Sequence, residues 1–151
     1  MKKKLSAEEI RSQYIKSLLI IEKSNLEGEY KIGNKEGKKI IKLFKLLEED
    51  IDLAKEVLPS LFEHESVKVK ICVAAHCLAL EIFEEQAVDI LEKISELNLR
   101  VFSFEAEMTL KVWREQVFKS LSEVKRKYGI TSKVTQFRLV WPFFLLMLDI
   151  P

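Results

Sequence analysis

The chain has 151 residues and a mass of 17.6 kDa, a size that fits one domain rather than two. Apolar residues make up 48% and charged residues 32%, and the 4 Gly and 3 Pro are too few for an all-β protein with many tight turns. The net charge of +1 hides three blocks of different charge, basic, acidic and basic. Residues 1–45 contain 12 Lys and Arg against 6 Asp and Glu, residues 46–109 contain 5 against 15, and residues 110–151 contain 8 against 3. The acidic middle block predicts a partner with a basic surface.

Apolar residues at steps of three and four predict helices along most of the chain. Ser6 and Glu9 have the spacing of a capping box, which starts the first helix. Residues 25–34, with Gly28 and Gly33, are expected to form a loop. The expected helices cover roughly residues 6–24, 35–48, 50–62, 67–81, 84–97 and 104–128.

The fourth predicted helix contains both cysteines, Cys72 and Cys77. They project about 140° apart on a helix, so no disulfide bond is expected between them. Cys72 and His76 share a helix face but supply only two metal ligands, and we expect both in the core, with no metal ion and no cofactor. No nucleophile elbow, zinc-protease helix or phosphate-binding loop occurs in the sequence, so the chain is not expected to be an enzyme.

Residues 58–78 combine a Leu-Pro-x-Leu helix end, a short turn with His64, and a second helix that contains an alanine pair. This pattern resembles a HEAT-like helical repeat, although Lys70 replaces the common arginine and Val73 the first alanine. Over about residues 50–115 the chain is similar to a small bacterial HEAT-like family of uncharacterised function. The resemblance implies an all-α fold, a right-handed α-solenoid of six to seven helices in antiparallel pairs.

Acidic residues form two groups that are candidate protein-binding sites. They are expected on one side of the helical stack, where aligned helix faces build a continuous surface. Like charges at neighbouring helical positions repel by a few tenths of a kcal/mol, so a helix selected for stability alone would mix signs. The alternative is a solvated helix face. The first group is Glu85, Asp89, Glu92 and Glu96 on the fifth helix, and the second is Glu49, Asp52 and Glu56.

These features predict a non-enzymatic protein-binding module, and in particular an immunity protein that neutralises a basic toxin through its acidic face. The second hypothesis is a nucleic-acid-binding protein that resembles the helical-repeat alkylpurine DNA glycosylases. It draws on a lysine-rich side of the second helix, residues 35–45. Nucleic acid is disfavoured as a partner, because the region that would form the cradle is acidic and few aromatic residues accompany the lysines.

Two further expectations concern the segments near the two ends of the sequence. The basic run at residues 2–4 has no apolar stretch behind it, so a signal peptide is not expected and the protein is predicted to be cytoplasmic. Residues 139–148 are apolar apart from Pro142, but ten residues are too few to span a bilayer, and no membrane association is expected. We expect residues 130–151 to pack on a single domain; self-association through this segment is the alternative.

Overall fold

The computed structural model describes residues 5–117, with side chains to residue 114. Within this part of the chain all regular structure is helical, and no strand occurs. A one-turn 3-10 helix, Pro59–Leu61, separates the third α-helix from the fourth. The six α-helices are α1 (Ala7–Leu26), α2 (Tyr30–Glu49), α3 (Ile51–Val57), α4 (Val67–Leu80), α5 (Glu84–Glu96) and α6 (Val101–Val117).

Side-chain caps define the predicted helix starts. The backbone N–H of Glu9 donates to Ser6 Oγ at 3.2 Å, as the capping-box spacing predicts. The backbone N–H of Val69 donates in the same way to Ser66 Oγ at 3.3 Å, at the start of α4. Pro59 ends the α-helical geometry of α3 and tightens the chain into the 3-10 turn, as expected of a proline near a helix end.

The predicted loop over residues 25–34 is wrong, because α2 already begins at Tyr30. Only Gly28 serves the turn between α1 and α2, where its φ of +73° suits a residue without a Cβ. Gly33 lies inside α2 against α1, and a Cβ at this position would stand 2.9 Å from Ser24 Oγ. This glycine therefore allows two helices to approach closely rather than allowing the chain to bend.

The core is built around α4, whose small and apolar residues bury most of its surface. Eleven of its 14 residues are buried, and Ala74 and Ala75 are fully inaccessible. The helix packs against α1, α5 and α6. The alanines permit this close approach of several helices to one. α4 is therefore the most enclosed element of the described chain.

Consecutive helices pack against each other in chain order, α1 on α2, α4 on α5 and α5 on α6. The all-α class predicted from the sequence is confirmed for residues 5–117. α6 begins at Val101, a few residues earlier than predicted. The expected continuation of the sixth helix to residue 128 and the apolar segment at residues 139–148 lie outside the described residues.

Candidate functional site

The first acidic group lies on the solvent side of α5. The amphipathic pattern of this helix turns Ala87, Leu91 and Ile94 into the core, which leaves the opposite side for polar residues. All four predicted carboxylates are exposed, and they extend over three turns of the helix. We call Glu85, Asp89, Glu92 and Glu96 the acidic face.

Two carboxylates of the acidic face already have cationic neighbours. Lys93 Nζ lies 2.9 Å from Asp89 Oδ2 one turn along α5, and this hydrogen bond and the aspartate charge raise the pKa of Lys93. Arg114 reaches across from α6, with Nη2 2.7 Å from Glu92 Oε1. Within the described chain, Glu85 and Glu96 form no such ion pair. Among the described residues, the acidic face is therefore partly neutralised at its centre and has no ion pair at either end.

The second acidic group is exposed as well, but it lies on other elements. Glu49 ends α2, and Asp52 and Glu56 lie on α3. α3 packs on α1 and α2, whereas α5 packs on α4 and α6. The expectation that both groups share one side of the stack stays a prediction.

A buried ion pair joins α4 to α6. Lys68 Nζ lies 2.8 Å from Glu105 Oε1, and the two side chains are only 4% and 3% exposed. This pair was not predicted from the sequence. Its signal was a charged residue one helical turn before a buried residue in each helix: Lys68 lies four residues before Cys72, and Glu105 lies four residues before Thr109. Spacing alone cannot pair two residues that are 37 positions apart.

Cys72 and His76 are core residues, as predicted. Both are fully buried, and His76 Nε2 lies 3.8 Å from Cys72 Sγ and 3.3 Å from Tyr14 Oη. The His76 ring also packs edge-on against Tyr14 and tilted against Phe44. Lys68, Cys72 and His76 follow one another at one-turn intervals on α4, and together with Glu105 from α6 they form a polar path through the core.

Burial determines the protonation states of the histidine and the two cysteines of α4. Desolvation lowers the pKa of His76 to about 3 and raises the pKa of Cys77 to about 12. It raises the pKa of Cys72 as well, and the nearby Glu105 and Cys77 add to that rise against the opposing charge of Lys68. At neutral pH the imidazole is uncharged and both cysteines are thiols. A buried thiol is a poor nucleophile, so the pair has the chemistry of packing residues.

His64 has a role in the turn before α4. Its Nδ1 accepts a hydrogen bond of 3.0 Å from the backbone N–H of Ser66, which is the N-cap of α4. The imidazole thus supports the helix start. Among residues 5–117 no group of three or more His, Cys, Asp or Glu side chains is arranged to hold a metal ion.

The comparisons with known proteins add no identification. No protein-family model, no curated protein and no solved structure matches the chain significantly. No helix in the described part of the chain combines the length and apolar character that crossing a bilayer requires.

Proposed function

We propose that this protein is a non-enzymatic protein-binding module whose acidic face receives a basic surface of a partner. The observation that carries the proposal is the exposure of four carboxylates on one side of the 13-residue helix α5. Complementary charge of this kind accelerates association and selects the orientation in which two proteins meet. The exposed Glu49, Asp52 and Glu56 would extend the contact if the partner reaches α3.

The ion pairs inside the acidic face do not prevent binding. An exposed ion pair contributes about 0–1 kcal/mol, so a partner's lysine or arginine can replace Lys93 or Arg114 at little cost. Glu85 and Glu96 form no ion pair within the described chain, so a partner's cation can bind them without replacing one. Arg114 also connects α5 to α6, which favours a rigid surface that does not have to be ordered on binding.

The finer proposals concern architecture and biological role. The in-order packing of consecutive helices supports a right-handed α-solenoid, in which neighbouring helix faces form one surface. The biological role that best fits an acidic docking surface is that of an immunity protein, which neutralises a basic toxin. We propose no catalytic activity for Cys72 and His76, because both side chains are fully buried and cannot reach a substrate.

The test is affinity capture of partners from the source cell followed by mass spectrometry, with a charge-reversed acidic face, Glu85/Asp89/Glu92/Glu96→Lys. We expect the unmodified chain to retain a basic protein and the variant to lose it. The matched control is Glu27/Glu29/Glu63/Glu65→Lys, which changes the net charge equally at four exposed positions away from α5.

The control variant should retain the same basic protein. Loss of the partner from both variants would show that total charge rather than the acidic face is responsible. Retention by the variant with the reversed acidic face would contradict the proposal directly. Circular dichroism of both variants establishes that they are equally helical before the capture is compared.

A further inference from the structure

A second charged surface lies on α2. Five lysines succeed one another at steps of four, three, four and three residues, which places them within a sector of about 80° on the helix. All five are exposed, whereas Ile40, Phe44 and Leu47 on the opposite side are fully buried. We call Lys31, Lys35, Lys38, Lys42 and Lys45 the lysine ridge.

No residue of the described chain neutralises the lysine ridge. None of its five ammonium groups forms an ion pair with a residue in the described chain. Glu36, on the same helix, is buried and pairs with Lys39, which lies beside the ridge, at 3.1 Å. Each neighbouring pair of lysines in the ridge destabilises the helix by a few tenths of a kcal/mol. The ridge therefore differs from the acidic face, where Lys93 and Arg114 offset part of the charge.

We propose that the lysine ridge binds the sugar–phosphate backbone of a nucleic acid, independently of base sequence. From Lys31 to Lys45 the ridge extends about 21 Å along the helix axis. One strand of duplex DNA places about six phosphates over that length. Five lysines with mobile four-carbon stems can each reach a phosphate in such a row, and each contact releases a condensed counterion.

The composition of the ridge favours nucleic acid over the other polyanions. A protein interface draws its affinity from apolar and aromatic anchors at its centre, and no apolar residue lies within the sector of the five lysines; the exposed Ile32 and Leu46 lie only beside it. An anionic membrane is disfavoured because a helix on a membrane surface inserts its apolar side into the lipid, and the apolar side of α2 is buried in the core through Ile40, Phe44 and Leu47.

This inference is independent of the proposed protein-binding function. The sequence disfavours nucleic acid because the region that would form a cradle is acidic and few aromatic residues are available to stack on bases. Contact with phosphates alone requires neither a cradle nor base stacking, and it takes place on α2, away from the acidic face on α5. The ridge provides binding to the backbone and no chemistry on a base.

The experiment measures fluorescence anisotropy of a labelled DNA duplex of about 20 base pairs as full-length protein is added at several salt concentrations. For five phosphate contacts the logarithm of the association constant should fall against the logarithm of salt with a slope of about −4.5. A second duplex of unrelated sequence should bind within about twofold of the first, as backbone contacts require. The variant Lys35/Lys38/Lys42→Glu should bind at least about tenfold more weakly, with a slope near −2.

The matched control is Lys16/Lys23/Lys55→Glu, which changes the net charge equally at exposed positions outside the ridge. It should retain the slope of the unmodified protein and most of its affinity. No binding at about 50 mM salt, or equal losses in the ridge variant and the control, would overturn the proposal. Tighter ridge-dependent binding to phosphatidylserine vesicles or to polyglutamate than to the duplex would overturn it as well, in favour of a lipid or an acidic protein.

Discussion

His76 shows at the scale of one residue how burial couples this fold to pH. The pKa of the folded-state imidazole is lowered to about 3 by desolvation, from an ordinary value of 6.5. Between these values the unfolded chain binds more protons than the folded one, so the contribution of a neutral His76 is fully present above pH 6.5 and is lost as pH falls toward 3. We therefore expect about 2 kcal/mol of stability to disappear between pH 7 and pH 5 from this residue.

Urea denaturation of the unmodified protein and of His76→Phe at both pH values measures this contribution. The variant should show a smaller loss on acidification by about that amount, whatever its stability at pH 7. Tyr14→Phe is the control, because it removes the hydroxyl 3.3 Å from Nε2 but leaves the ring buried. It should lose about 1 kcal/mol at pH 7 and retain the pH dependence. An unchanged pH dependence in His76→Phe would contradict the assignment.

The buried ion pair of Lys68 and Glu105 shows that the position of a single residue does not reveal its counterion. Either side chain alone would be strongly destabilising at 4% or 3% exposure, since an unpaired charge in the core costs several kcal/mol. The pair is tolerated because each residue is the counterion of the other at 2.8 Å. Charged residues at inward positions could have been noted from the helical spacing, but the partner of each is determined by how α6 packs on α4.

At the scale of the element, Gly33 explains why α2 begins earlier than its composition suggests. Glycine lowers helix propensity, and two glycines close to Asn34 indicate a loop by local rules. The close contact with α1 outweighs that preference, because any larger residue would meet Ser24 Oγ. Ser24 in turn donates to the carbonyl of Ile21 at 3.0 Å, so its hydroxyl cannot rotate away without losing a hydrogen bond.

A double-mutant cycle tests this explanation. In the background Ser24→Ala, which removes the hydroxyl, Gly33→Ala should stabilise the protein by roughly 0.5–1 kcal/mol through helix propensity. In the unmodified background the contact at 2.9 Å should cancel that gain or reverse it. Thermal denaturation of the four proteins measures the coupling between the two positions. Equal effects of Gly33→Ala in both backgrounds would show that Gly33 does not determine the approach of α1 and α2.

At the scale of the whole molecule, opposite charges are separated onto different helices. The lysine ridge covers α2 and the acidic face covers α5, while the net charge is only +1. A near-neutral total therefore conceals two surfaces of opposite sign, each able to attract a different class of partner. The two charge-reversal experiments separate these surfaces, because each alters one helix and leaves the other unchanged.

The apolar residues 139–148 lead to a prediction about assembly. If they pack on the rest of their own chain, as we expect from the sequence, a chain ending at Val134 should keep the subunit number of the full chain and lose stability to urea. Light scattering gives the mass of both proteins, and urea denaturation gives their stability. A full chain that is oligomeric beside a monomeric shortened chain would instead establish self-association through this segment.

The sequence by itself determined what depends on neighbours along the chain: the helical class, the caps at Ser6 and Ser66, and the exposure of the carboxylates on α5. These follow from helical periodicity and local hydrogen bonding, which act over a few residues. Only the tertiary structure decided that Arg114 offsets Glu92, that Lys68 meets Glu105, and that Gly33 belongs to a helix. The physical reason is that counterions and close contacts between helices depend on packing, which joins residues distant in the chain.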